Sequence, residues 1–98
     1  MDLEKIIHFI IKCLRNNNYK ETKHFREKCK ERELDIENIR NILKKNKILG
    51  LEEQNKNLYK IFIYYNKTKD LIIIINTAYS KIKLLTVFIQ DSLRRKRK

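Results

Sequence analysis

The chain has little cysteine, almost no glycine and neither proline nor tryptophan, and each shortage narrows what it can be. Cys13 and Cys29 are the two cysteines, with no CxxC spacing. Two such thiols exclude a disulfide framework and a cysteine zinc site, and read as small reduced side chains of a cytosolic protein. Long apolar runs are also missing. The N-terminal stretch is broken by Glu4, Lys5, His8 and Lys12, and the run from Leu71 to Ile75 is far too short to span a bilayer. No targeting segment and no membrane span are therefore expected. Negative charge is scarce as well. Against 12 acidic residues stand 24 lysines and arginines, a formal net charge of +12. A surplus of this size attracts polyanions. A vocabulary rich in Lys, Ile and Asn also follows from AT-rich coding or life at high temperature, so part of the surplus needs no partner. The remainder points to an anionic partner.

With 98 residues there is room for one domain and a modest core. Leu3, Ile6, Ile7, Ile10, Ile11 and Leu14 recur at helical spacing and predict an amphipathic helix within residues 1–18, closed by Asn16, Asn17 and Asn18. Its apolar stripe faces the core, or serves as the surface for a partner protein, a second copy of the chain or a membrane surface. A short, charge-dense second helix is expected over residues 22–32, with only Phe25 and Cys29 to bury. Asp35 reads as the N-cap of a third helix that buries Ile36, Ile39, Ile42 and Leu43, with Lys44 and Lys45 at its C-terminal end. After Gly50 the apolar period changes from 3.6 to 2. Residues 58–65, 71–76 and 82–90 read as an antiparallel meander, to which residues 49–53 add a short edge strand. The expected architecture is α+β, with two to three N-terminal helices packed on a curled antiparallel sheet of three to four strands. The domain is expected over residues 1–90 (helices over 20–46, sheet over 49–90), with residues 91–98 a basic tail without fixed structure.

His24, Lys28 and Arg32 stand at i, i+4 and i+8 and share one side of the second helix. One imidazole with two cations, set against the open face of the sheet, would make a phosphate-sized cleft. The chemistry that suits it is RNA scission without a metal. A base takes the ribose 2′-OH proton, cations stabilise the charge on phosphorus, and an acid protonates the departing 5′ oxygen. The same helix also reads as an ordinary solvated face, with Glu27 and Glu31 pairing its cations. Tyr59, Tyr64, Tyr65 and Tyr79 read either as half-buried sheet residues or as stacking surfaces for unpaired bases. His8 reads as structural.

The stretch from His24 to Arg32, followed by Leu34-Asp35-Ile36-Glu37-Asn38-Ile39 and later by Leu84-Leu85-Thr86-Val87-Phe88, resembles a prokaryotic small-domain family. Its members carry His-x3-Arg-x3-Arg-(Gly), then (Ile/Leu)-Asp-x-x-Ile, and end in a strand read as (Ile/Leu)-(Ile/Leu)-Thr-Val-(Tyr/Phe). They are grouped with the RelE/ParE-like toxins in the barnase–EndoU–colicin–RelE class of metal-independent ribonucleases. The resemblance spans roughly residues 20–90. It implies a RelE-like fold and an endoribonuclease of a toxin–antitoxin system, acting on mRNA or tRNA and held by an acidic antitoxin. His24, Arg32 and Thr86 take the catalytic positions. Lys28 stands in the place of the first arginine, keeping the charge and losing the bidentate fork. Glu33 stands where the family has glycine. Arg26, Lys28, Tyr79, Arg94 and Arg95 are the expected RNA and phosphate contacts. No metal and no cofactor are expected. The alternatives are a non-catalytic RNA- or DNA-binding module, or a protein-interaction subunit of the same fold.

Overall fold

The computed structural model describes residues 3–79 and 81–94. Its elements are α1 (Leu3–Arg15), β1 (Tyr19–Glu21), α2 (Lys23–Glu31), α3 (Ile36–Lys45), β2 (Ile48–Asn55), β3 (Leu58–Tyr64), β4 (Lys69–Asn76) and β5 (Ile82–Asp91), followed by a single 3-10 turn, Ser92–Arg94. The class is α+β as expected. The sheet has five strands rather than three or four, in the order β1-β5-β4-β3-β2. It is mixed, because β1 runs parallel to β5 through Tyr19–Ile82, Lys20–Lys83 and Glu21–Leu84, while all other pairings are antiparallel. Three residues are too few for a period-2 pattern, so β1 carries no signal in the chain alone. Its pairing is dictated by the strand it meets. The strand before β3 is longer than the edge piece expected over residues 49–53.

Ile10, Leu14, Phe25, Cys29, Ile39 and Leu43 from the helices meet Ile61, Ile63, Leu71, Ile73, Ile75, Ile82, Leu84 and Val87 from the sheet in one buried core. The alternation in β3 and β4 therefore sends odd-numbered residues to the helices. Phe62 and Ile72 are also buried, yet they point to the opposite face. The unbroken apolar run of β4 fits a central strand covered on both sides. No helix among the described residues is long and apolar enough to cross a membrane.

The helix ends explain how so short a chain turns so often with one glycine. At the end of α1, Asn18 N–H donates to Cys13 O and Asn17 N–H to Leu14 O, with Asn17 at φ 55°. At the end of α2, Leu34 N–H donates to Cys29 O and Glu33 N–H to Lys30 O, with Glu33 at φ 55°. Both are Schellman caps, whose left-handed position favours Gly and tolerates Asn. Asn17 suits its place. Glu33, where the resembled family has glycine, makes the same turn with a Cβ that opposes it. Thr22 and Asp35 are the N-caps of α2 and α3, accepting from Phe25 N–H at 3.1 Å and Glu37 N–H at 3.1 Å. Arg15 closes the far end of α3 by donating to Leu43 O and Asn46 O.

Cys13 and Cys29 are both free and buried, and burial pushes both thiols above their ordinary range, as it does the Tyr19 phenol. Each group holds its proton more tightly folded than unfolded. Stability is therefore full below the ordinary thiol pKa of 9.0 and falls as pH rises past it, where the unfolded chain ionises first. Urea melts between pH 7 and pH 10 are expected to show this decline, and Cys13→Ala/Cys29→Ala is expected to flatten it. Glu33→Gly is expected to raise stability by about 0.5–1 kcal/mol in the same melts, since it removes the left-handed cost at one position. A loss of stability would contradict the strain assigned to Glu33.

Candidate nucleic-acid interface

Helix α2 has only Phe25 and Cys29 to bury, so it is held by hydrogen bonds at both ends. At its start, Thr22 donates from Oγ1 to Leu84 O at 2.8 Å and from its backbone N–H to the same oxygen at 3.2 Å. At its end, Arg32 donates from Nη1 to Val87 O at 2.6 Å. Strand β1 pairs with β5 only as far as Leu84, so the next stretch of that edge has no strand beside it. Arg32 satisfies a carbonyl there, and the two anchors set α2 alongside β5 in the same direction. Arg32 is thereby brought to the segment that carries Thr86.

The guanidinium of Arg32 continues round the edge and lies 5.7 Å from the centroid of Phe88, on the face turned away from the helices. Lys60 Nζ lies 5.2 Å from the Phe62 ring and 6.0 Å from the Phe88 ring on that face. Thr86 and Lys60 both pair with Ile74, in the row beside Phe62, Ile72 and Phe88. The open face thus holds two aromatic rings, two cations over them and a hydroxyl at the edge. Rings and guanidinium planes stack on unpaired bases, and lysine and arginine meet phosphate. Lys60, Phe62 and Phe88 were missed as a site. Period-2 alternation puts all three on one face, but nothing in the chain shows that this face lacks helices.

The remaining expected residues fall in different places. Lys28 Nζ is 3.4 Å from the Glu31 carboxylate, the pairing of a solvated helix face. His24 is exposed and takes no hydrogen bond or ion pair among the described residues. It stands about 12 Å along the helix axis from Arg32. A groove of about 550 Å³ beside α2 includes Arg26 in its lining but not His24, Lys28, Arg32 or Thr86. Helix α2 is anchored beside the strand edge, through Thr22 on Leu84 and Arg32 on Val87, rather than across the open face. Tyr79 is exposed in the turn between β4 and β5, with Lys83 Nζ 3.8 Å from its ring centroid. Tyr59 is buried in the core and Tyr64 is exposed. His8 is exposed on α1. Arg94 ends the 3-10 turn, its side chain and Arg95 both lying outside the described residues. No three His, Cys, Asp or Glu side chains gather as metal ligands among the described residues.

Three helices backed by an open five-stranded mixed sheet, with a cationic and aromatic outer face, define the class as a small basic α+β domain. The family model described as the MJ0788 family matches residues 4–75, and the chain belongs to that family. The match runs from α1 to β4 and takes in His24, Lys28, Arg32, Lys60 and Phe62; Thr86 and Phe88 lie beyond it. No curated protein and no solved structure matches the chain.

Arg32→Ala removes a hydrogen bond to a strand carbonyl and a cation–ring contact. It is expected to cost about 1–2 kcal/mol in urea melts. His24→Ala is expected to stay within about 0.5 kcal/mol, as for an exposed residue without a partner. Equal losses in the two variants would contradict this placement.

Proposed function

We propose that this protein binds RNA across α2 and the outer face of the sheet and cleaves it as a metal-independent endoribonuclease of the RelE/ParE-like kind. One observation carries the reading. Arg32 is clamped to Val87 O and set over Phe88, with Thr86 between those strand positions and the start of α2. A strand of RNA laid there meets the half-buried Phe88 ring and the guanidinium plane over it for a base, and Arg32 and Lys60 for its phosphates, with Phe62 buried beneath Lys60. The motif order supports the reading too, as do helices followed by an antiparallel meander.

In the proposed reaction His24 accepts the 2′-OH proton of the nucleotide before the scissile phosphate. The 2′ oxygen bonds to phosphorus, the bond from phosphorus to the 5′ oxygen breaks, and that oxygen takes a proton from water. The imidazolium returns its proton to solvent, and the products are a 2′,3′-cyclic phosphate and a 5′-hydroxyl end. Lys28, one turn along from His24, stabilises the added charge on phosphorus; Arg32 holds a phosphate further along the strand, and Thr86 donates to a phosphate oxygen or a base there. An acidic antitoxin in the cytoplasm, seated on the same cations, would hold the domain inactive.

The isolation of His24, without an orienting partner, favours a second reading in which the same surface binds nucleic acid and does not cut it. An assay of purified protein on single-stranded RNA in EDTA separates them. Cleavage with cyclic-phosphate ends, lost by at least about 100-fold in His24→Ala, is expected from the contribution of a general base. Full activity in His24→Ala and in Arg32→Ala would remove the ribonuclease reading. Binding without products, weakening steeply with salt, would establish the second.

A further inference from the structure

The groove on the other flank of α2 belongs to neither reading. Arg26 lines it, and that residue stands roughly 120–160° round the helix from His24, Lys28 and Arg32. Its walls are the unpaired outer edge of β1 at Tyr19, Lys20 and Glu21, the start of α2, the Glu37–Lys44 side of α3, Asn17 and Lys81. Its volume of about 550 Å³ is that of a small-molecule site.

The charges in it are unevenly committed. Glu21 and Glu37 are its two carboxylates, and both are occupied by Arg40. Arg40 donates from Nε and Nη2 to the two oxygens of Glu21 at 2.8 Å each, and from Nη1 to Glu37. The Glu21 side chain is only 11% exposed, so this fork is held fast. Each terminal nitrogen keeps a second N–H, leaving Arg40 with donors to spare. Arg26, Lys44 and Lys81 stand in no ion pair among the described residues, nor does Lys20 on the strand edge. Three walls therefore bring cations, the acids are already neutralised, and Asn17 and Asn41 add amides that can donate or accept.

We infer that this groove is a second anion site, taking one phosphorylated nucleotide unit. A phosphate would sit between Lys44, Lys81 and Arg26, and the amides and peptide edge of β1 would meet the sugar and base. The unit comes either from an RNA strand or from a free nucleotide, and the chemistry of recognition is the same. The inference does not rest on cleavage at His24.

Lys44→Ala/Lys81→Ala tests it, because both side chains are exposed and without a described partner. Adenosine monophosphate and a single-stranded RNA octamer are titrated into the full chain, followed by amide NMR and fluorescence anisotropy. In the unaltered protein AMP should shift the amides of Lys20, Asn41 and Lys44, with at least about a fivefold loss of affinity in the double variant, the scale of one or two weak ion contacts. If a strand occupies the groove, the variant should also lower the salt slope of octamer binding by about 1.4, or roughly 0.7 for each lost phosphate contact. A changed octamer slope without AMP shifts assigns the groove to a strand, and AMP shifts with an unchanged slope assign it to a free nucleotide. An unchanged slope with no AMP shifts, or AMP affinity equal in both proteins, overturns the inference. An absence of cleavage products leaves each of these readouts in place.

Discussion

The segment of β5 beyond Leu84 is the constraint on which the functional surface depends. A strand edge that β1 no longer covers exposes peptide groups that must find partners, because an unsatisfied carbonyl in a half-buried place costs about 1–3 kcal/mol. Helix α2 cannot supply that through apolar area, since it buries only one aromatic ring and one thiol. It supplies it through Thr22 at one end and Arg32 at the other. The same two bonds that satisfy the edge also fix the helix in direction and rotation. They decide that Arg32 reaches Val87, next to Thr86, and leans over Phe88.

The outer face follows from the same geometry. With every helix on one side, the alternation of β3 and β5 leaves Phe62 and Phe88 on the other, flanking the buried Ile72, with the charges of Arg32 and Lys60 over the two rings. Lysine and arginine cover apolar surface with their methylene chains while keeping charge in water. The surplus of +12 is thereby partly structural. Lys60 and Arg32 shield a small second core as well as presenting charge, and Arg40 ties β1 to α3. The charge left for a partner is a smaller set on two sides of one helix.

How much of this was legible depends on what kind of signal each feature carries. The apolar stripes of α1 and α3, the cap Asp35, and the run from Leu71 to Ile75 are local patterns, and each placed its element correctly; Thr22, expected inside α2, is its N-cap. Strand β1 has no local pattern, and its neighbour comes from the far end of the chain. The site divides the same way. The i, i+4, i+8 spacing put His24, Lys28 and Arg32 on one side of a helix, but spacing says nothing of the strand beside it. Arg32 found a carbonyl, Lys28 found Glu31, and His24 found neither. Arg26 and Arg40 look alike as isolated cations. Only the approach of β1 to α3 makes one a structural tie and leaves the other facing a groove.

Glu33 shows how the two basic flanks are kept apart. The Schellman cap stops α2 directly after Arg32 and reverses the chain, so that α3 begins at Ile36 and carries Arg40 and Lys44 to the side opposite the open face. Had α2 continued another turn, its basic stripe would run past Phe88, and α3 would not reach β1. The strained residue at φ 55° therefore sits at the branch point between two surfaces. Its cost is tolerated because Leu34, the residue after it, packs against the core. A helix fixed at both ends and cut short by its cap works as a partition. Its seat on β5 decides what one flank can touch, and its turn into α3 decides what the other can hold.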